Sequence, residues 1–124
     1  MTSTNLKVAK IGETAASKHL TLLGYKIVKK NFRCRWGEID LIVSKGNRLV
    51  FVEVKTRLGD RMGKPHEAVG FKKIHDLKRA IEYFLLKNKY KDYKLSLDVV
   101  SIVLNNDMSI GKLSHFENVD TERR

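Results

Sequence analysis

The stretch GEIDLIVSKGNRLVFVEVKTR, residues 37–57, constrains the fold of this chain more than any other. Two apolar runs flank the polar segment Ser44–Asn47, which contains Gly46. The pattern predicts a β-hairpin with strands over 38–44 and 48–56. Both runs are apolar on both faces, as in strands covered on each side. Yet Glu38, Asp40, Glu53 and Lys55 interrupt them. A charge in a packed strand is costly unless it is paired or has a task.

The remaining elements place this hairpin in an α/β domain. Leu6, Ala9, Ala16, Leu20 and Leu23 recur at helical spacing and predict a helix over 6–23, ended by Gly24. Glu13 lies on the same stripe, so it is expected to face the protein; an acid reaching solvent from the stripe's edge is the alternative. Residues 25–33 read as a first strand. RLGDRMGKPHE, 57–67, reads as a basic loop. Ile74, Leu77, Ala80, Ile81 and Phe84 predict a second helix over 67–87, with Lys73 on the inward stripe near its start; a lysine snorkelling at the rim is the alternative. KLSLDVVSIVL, 94–104, reads as a central strand interrupted by Asp98, and 110–116 as a last, edge strand. The order α-β-β-β-α-β-β implies a mixed central sheet flanked by helices. The crossover through the second helix should set strand 94–104 parallel to strand 48–56. The 124 residues fit one domain, with an ordered core over about 6–117 and frayed ends.

Composition narrows the partners. Cys34 is the single cysteine, which excludes a disulfide within the chain and a cysteine-based zinc site and fits a reducing, cytoplasmic compartment. The N-terminal segment MTSTNLKVAK has no long apolar run, so neither a signal peptide nor a membrane span is expected. The formal net charge is +11, and residues 1–57 hold 12 of the 25 Lys/Arg but only 4 of the 14 Asp/Glu. An uneven basic surface fits a polyanion such as nucleic acid, because Lys and Arg release counterions from a phosphate backbone.

The hairpin charges fit chemistry on such a partner. Strand alternation puts Glu38, Asp40 and Ile42 on one face and Leu49, Phe51, Glu53 and Lys55 on one face of the next strand. A four-residue turn, 44–47, would pair Val43 with Arg48 and Asp40 with Phe51. Asp40 and Glu53 would then be diagonal neighbours, roughly 5–8 Å apart. Two carboxylates that close repel unless one holds a proton or a cation sits between them. Oxygen donors at this separation suit Mg²⁺ or Mn²⁺, which can also bind phosphate. Lys55, two residues past Glu53, could offset charge developing on a phosphate. The competing reading of Glu53 and Lys55 is a solvated strand face.

GEIDLI (37–42) followed by FVEVKTR (51–57) resembles the PD-(D/E)XK nuclease superfamily. More closely, it resembles the small bacterial YraN-type proteins, related in fold to archaeal Holliday-junction resolvases. The resemblance runs from about residue 12 to 119. It takes in Gly12-Glu13 with Ala16 and Leu20, Gly24-Tyr25, Asn31-Phe32-Arg33, Gly63-Lys64-Pro65 with Glu67-Ala68-Val69, Lys73 with Leu77 and Ala80, Asp98-Val99-Val100 and HFENV (115–119). It implies a restriction-endonuclease-like fold, Asp40 and Glu53 as metal ligands, Lys55 as the catalytic lysine and Glu13 as an accessory acid. It also implies Lys73 as a phosphate-binding or site-supporting lysine. The sequence departs from the family pattern at Ile39, where the superfamily name has proline. It departs again at Ser96-Leu97, where an Arg and an aromatic residue are expected.

On the substrate side, Arg33, Arg35 and Trp36 precede the motif. Arginines can hold phosphates bidentately and Trp36 could stack on an unpaired base; capping of the core is the alternative for Trp36. Arg57, Arg61 and Lys64 are placed to touch DNA. These readings and the resemblance point to a metal-dependent DNA endonuclease; the resemblance alone implies branched substrates, and a homodimer is a further expectation. The alternative is a non-catalytic nucleic-acid-binding module or an interaction domain in a DNA-processing complex.

Overall fold

A computed structural model of the chain describes residues 3–59 and 71–119. The elements occur in the expected order: α1 (Ser3–Leu22), β1 (Lys26–Cys34), β2 (Gly37–Lys45), β3 (Arg48–Leu58), α2 (Phe71–Lys87), β4 (Lys94–Leu104) and β5 (Ile110–Phe116). The strands form one sheet in the order β1-β2-β3-β4-β5. All neighbours are antiparallel except β3 and β4, which run parallel from Arg48↔Lys94 to Leu58↔Leu104. The helical crossover between β3 and β4 produces that parallel pair, as expected.

Alternation along the central strands separates two apolar layers. Val50, Val52, Val100, Ile102 and Leu104 pack with Val8, Ala16 and Leu20 of α1. Leu49, Phe51, Ile42 and Leu97 pack on the opposite face with Leu77, Ala80 and Phe84 of α2. Burying one such side chain fully is worth about 1.5–3 kcal/mol. These two layers, rather than the scattered surface ion pairs, therefore hold the helices to the sheet.

The buried stripe of α1 differs from the expected one. Leu6 and Leu23 are 57% and 44% exposed. The contact runs through Val8, Gly12, Ala16 and Leu20, all buried and spaced by four. Four-residue spacing keeps side chains on one inclined ridge, and this ridge crosses β3. At Gly12 the helix lies close against β3: a Cβ placed there would lie 1.7 Å from Thr56 Oγ1. The helix ends as its sequence dictates. Gly24 takes φ +98°, Tyr25 N–H bonds Leu20 O at 3.0 Å and Gly24 N–H bonds Thr21 O at 3.0 Å, a Schellman closure.

The β2–β3 turn is shorter than expected. Lys45 pairs with Arg48, so only Gly46 and Asn47 form the turn, with Gly46 at φ +59°. Glycine at the first position of a two-residue turn avoids a Cβ penalty and matches strand twist. Val43 consequently faces Val50 rather than Arg48. The shift is by two residues, so side-chain parity survives. β3 also runs on to Leu58, which makes Arg57 a strand residue. Arg61 and Lys64 lie outside the described residues, as do residues 67–70 at the expected start of the second helix.

Because α1 can move only by losing its contact with Thr56, Gly12→Ala should destabilise the fold by about 1–3 kcal/mol, the usual range for overpacking. Thermal unfolding would register this as a lowered Tm, and Gly12→Ala combined with Thr56→Ala, which removes the Oγ1 that such a Cβ would meet at 1.7 Å, should recover part of the loss.

Candidate active site

The β2–β3 ladder stops at Leu41↔Val52, while β2 stays paired with β1 as far as Cys34↔Gly37. Beyond Leu41 the β1–β2 hairpin parts from β3, and the β3 edge from Glu53 onward has no β2 partner. Asp40 sits at the fork. Its Oδ2 accepts the Val54 N–H at 2.7 Å and so replaces the missing strand partner. Continuing the observed register by one step sets Asp40 opposite Glu53.

Alternation breaks at this fork. Ile39 and Ile42, three residues apart, both bury in the α2 layer. Opposite Asp40 in β1, Asn31 adopts φ +51°, which Asn tolerates better than most residues. The expectation that Glu38, Asp40 and Ile42 share one face is therefore corrected. Glu38 lies at the fork's rim, half-buried, and ion-pairs with Arg33 at 3.5 Å.

Four carboxylates thus meet from three elements. Glu53 is buried, with 4% exposure, and its Oε2 lies 3.4 Å from Lys73 Nζ of α2. Burial, followed by the neighbouring Glu53 charge, pushes Asp40 up from 3.8 to about 7; the Glu38 charge adds to this, while the Val54 N–H and Lys73 oppose it. Glu13 of α1 is raised by burial, then by Asp40 and Glu38, and is held back by a hydrogen bond to Asn31 and by Lys10. Burial and the adjacent Glu53 charge therefore favour the protonated form of Asp40.

Clefts surround this cluster. One of about 270 Å³ lies along the open β3 edge and is lined by Glu13, Lys55, Thr56 and Arg57 among others. A second, about 490 Å³, opens between α1 and β1 beside Lys10, Glu13, Lys30, Arg33 and Glu38. A third, about 100 Å³, is bounded by Trp36, Glu38, Lys73 and Asp76. Lys55 is half-buried, and its register partner in β4 is Ser101, whose hydroxyl is buried and without a hydrogen bond. Arg57 Nε is likewise buried and without a hydrogen bond.

The donor set suits one kind of ion. Among the described residues, no group of three or more His, Cys, Asp or Glu side chains is arranged to hold a metal. A closed protein cage is thereby excluded within those residues. Mg²⁺ does not need one: it is commonly held by one or two carboxylates, with water and substrate phosphate completing the shell. Asp40 and Glu53, both hard oxygen donors with one Asp40 oxygen left free by Val54, fit that requirement.

Trp36 packs at the margin of the α2 layer, as its core-capping reading anticipates. Its ring also carries two guanidiniums, Arg35 at 4.9 Å and Arg79 at 4.4 Å from the centroid. Arg79 has no recognisable signal in the sequence, because its role depends on how α2 docks. Asn31 was also not singled out for the site; its signal is a polar residue with αL preference midway along a strand.

The fold and this fork define the class of protein: a three-layer α/β domain with a carboxylate cluster where two strands part. The chain belongs to the uncharacterised protein family UPF0102, whose model matches residues 12–102. It is 38% identical over 112 residues to a UPF0102 protein of Caldanaerobacter subterraneus, covering 90% of this chain and 92% of the relative. A Caldicellulosiruptor saccharolyticus relative is 45% identical over 94 residues, covering 76% and 80%. One from Thermodesulfovibrio yellowstonii is 42% identical over 113 residues, covering 91% and 95%. The matched span contains Glu13, Asp40, Glu53, Lys55 and Lys73.

The raised Asp40 value fixes the sign of a pH effect. The folded protein keeps a proton that the unfolded chain releases, so stability falls as pH rises from about 4 to about 7. Asp40→Asn removes this dependence, while its amide oxygen can still accept the Val54 N–H. In metal-free buffer, the variant should melt above wild type at pH 8, and the two curves should converge toward pH 4.5.

Proposed function

We propose that this chain is a Mg²⁺- or Mn²⁺-dependent endonuclease that hydrolyses DNA phosphodiesters, with the restriction-endonuclease-like core of the PD-(D/E)XK superfamily. The observation that carries the reading is the Asp40–Glu53 pair: two carboxylates held at a strand fork, whose neighbours Glu13, Glu38, Lys55 and Lys73 line open clefts. Such a pair is expensive unless it binds something positive.

The roles follow from position. Asp40 and Glu53 would hold the metal. When bound, the ion would lower the pKa of a water and polarise the phosphodiester. Lys55, lining the open β3 edge, contributes a positive charge where a phosphate would develop negative charge. Glu13 reaches the same cleft from α1. Burial, followed by the Asp40 and Glu38 charges, raises its pKa, which makes it a better proton holder than an ordinary glutamate. Arg57, with its unpaired buried Nε, and Arg33 supply guanidiniums for a phosphate backbone. The excess of basic residues in the first half of the chain favours a polyanionic substrate.

One observation favours a second reading. Lys73 already brings an ammonium within 3.4 Å of Glu53, so the pair can be partly neutralised without metal. A protein that uses only this device would be a nucleic-acid-binding module that keeps the fold without cutting. The two readings separate in one panel. Wild-type protein is incubated with single-stranded, duplex, flap and four-way DNA, with Mg²⁺, Mn²⁺ or EDTA. The nuclease reading expects metal-dependent cleavage of at least one substrate, reduced to background by Asp40→Ala and by Glu53→Ala with DNA binding retained. Binding without cleavage under every condition supports the second reading and contradicts the first.

A further inference from the structure

A second cluster lies away from the fork and plays no part in the proposed hydrolysis. Asp98 of β4 is fully buried. Its Oδ1 accepts the Ser96 hydroxyl at 2.5 Å and the Asn118 N–H at 3.0 Å, and its Oδ2 lies 2.8 Å from His115 Nε2 of β5. With Asp98 accepting at both oxygens, His115 Nε2 carries the hydrogen. Its Nδ1 is then left with a lone pair. That nitrogen lies 3.1 Å from Nε2 of His19 on α1, with ring centroids 5.1 Å apart and planes at 79°. Two imidazole nitrogens from different elements converge on one point. One of the two rings, His115, is almost fully covered with 9% side-chain exposure, while His19 is half-buried.

We propose that His19 Nε2 and His115 Nδ1 are the protein ligands of a divalent transition-metal ion of the Zn²⁺ or Ni²⁺ class, with Asp98 orienting His115. Metal–imidazole bonds of about 2.0–2.1 Å at a tetrahedral angle put two ligating nitrogens roughly 3.3 Å apart, close to the separation found here. A carboxylate accepting from the far nitrogen of a ligating histidine is the usual device for fixing its tautomer. Asp98 already performs it. To ligate, both facing nitrogens would offer lone pairs to the ion, so the hydrogen between the rings would have to leave that position. His19 carries its hydrogen on Nδ1 instead of Nε2, and no proton is released when both rings are neutral. The remaining coordination positions fall to water.

This site is independent of the carboxylate fork. Mg²⁺ prefers the oxygen donors of Asp40 and Glu53, whereas imidazole suits Zn²⁺ and Ni²⁺. His115 also lies beyond the residues matched by the family model, 12–102, so the pair draws on a part of the chain outside that match. Metal at this point would tie α1 to the edge strand β5 and stabilise the folded state by mass action.

The test uses the full-length, tag-free chain without nucleic acid, titrated calorimetrically with Zn²⁺ and Ni²⁺ alone. The expected result is saturable binding of one ion per chain and a higher Tm with metal. His19→Gln keeps a side-chain amide that can donate to His115, so it should fold. It should weaken binding by at least about tenfold, the lower end of what losing even an orienting partner costs. A His66→Gln/His75→Gln double variant should bind as wild type does. Absence of saturable binding, full affinity in His19→Gln, or loss of binding in the double variant would each overturn the proposal and leave the two histidines as a hydrogen-bonded tie between α1 and β5.

Discussion

The Val54 N–H needs an acceptor, and much of the molecule's chemistry depends on what supplies it. Where the β2–β3 ladder ends at Leu41↔Val52, the next β3 donor would be left unpaired. A buried, unsatisfied N–H costs about 1–3 kcal/mol. Asp40 answers it with a carboxylate oxygen at 2.7 Å. That bond pins Asp40 at the fork and brings it beside the buried Glu53. It also lowers the pKa of Asp40, but less than burial and Glu53 raise it. The backbone therefore gains an acceptor at the cost of an electrostatic tension, and the tension is what a cation would relieve.

The two helices bring opposite charges to this tension. On one face, Gly12 lets α1 approach Thr56 closely enough for Glu13 to join the acidic group. On the other, the α2 layer formed by Leu77, Ala80 and Phe84 sets Lys73 against Glu53. Because β2 and β3 part here, groups from both faces act on Asp40 through the gap: Glu38, Glu53 and Lys73 all perturb it. A continuous sheet would have screened one face from the other. The fork thus explains how Glu13, from the α1 side, acts on the acids of β2 while Lys73, from the α2 side, pairs with Glu53.

Much of this was legible in the residues. Period-2 alternation, the length of the segment between 56 and 94 and the helical stripe at 74–84 specified the element order and the parallel β3–β4 pair. The proximity of Asp40 and Glu53 survived a wrong turn length because the error was an even number of residues, and parity, not loop length, decides which face a side chain takes. What escaped reading depended on breaks in regularity. The αL conformation of Asn31 and the lost alternation between Ile39 and Ile42 have no periodic signature. Leu6 and Leu23 fit a helical wheel, yet the ridge that packs is 8-12-16-20, chosen by where a glycine permits close approach. Arg79 on Trp36 and His115 on His19 are contacts between distant segments, which only the docking of α2 and β5 creates.

The central claim is that burial and the Glu53 charge hold a proton on Asp40, which a divalent ion at the proposed site would displace. Its most direct test is a carbon-13 NMR titration of the Asp40 side-chain carboxyl, with and without Mg²⁺, using Glu53→Gln to separate the partner's contribution. The account predicts that Asp40 titrates near 7 in metal-free protein, and that its apparent pKa falls both on adding Mg²⁺ and in Glu53→Gln. An Asp40 that titrates near the ordinary carboxylate value and ignores both Mg²⁺ and the loss of the Glu53 charge would contradict it.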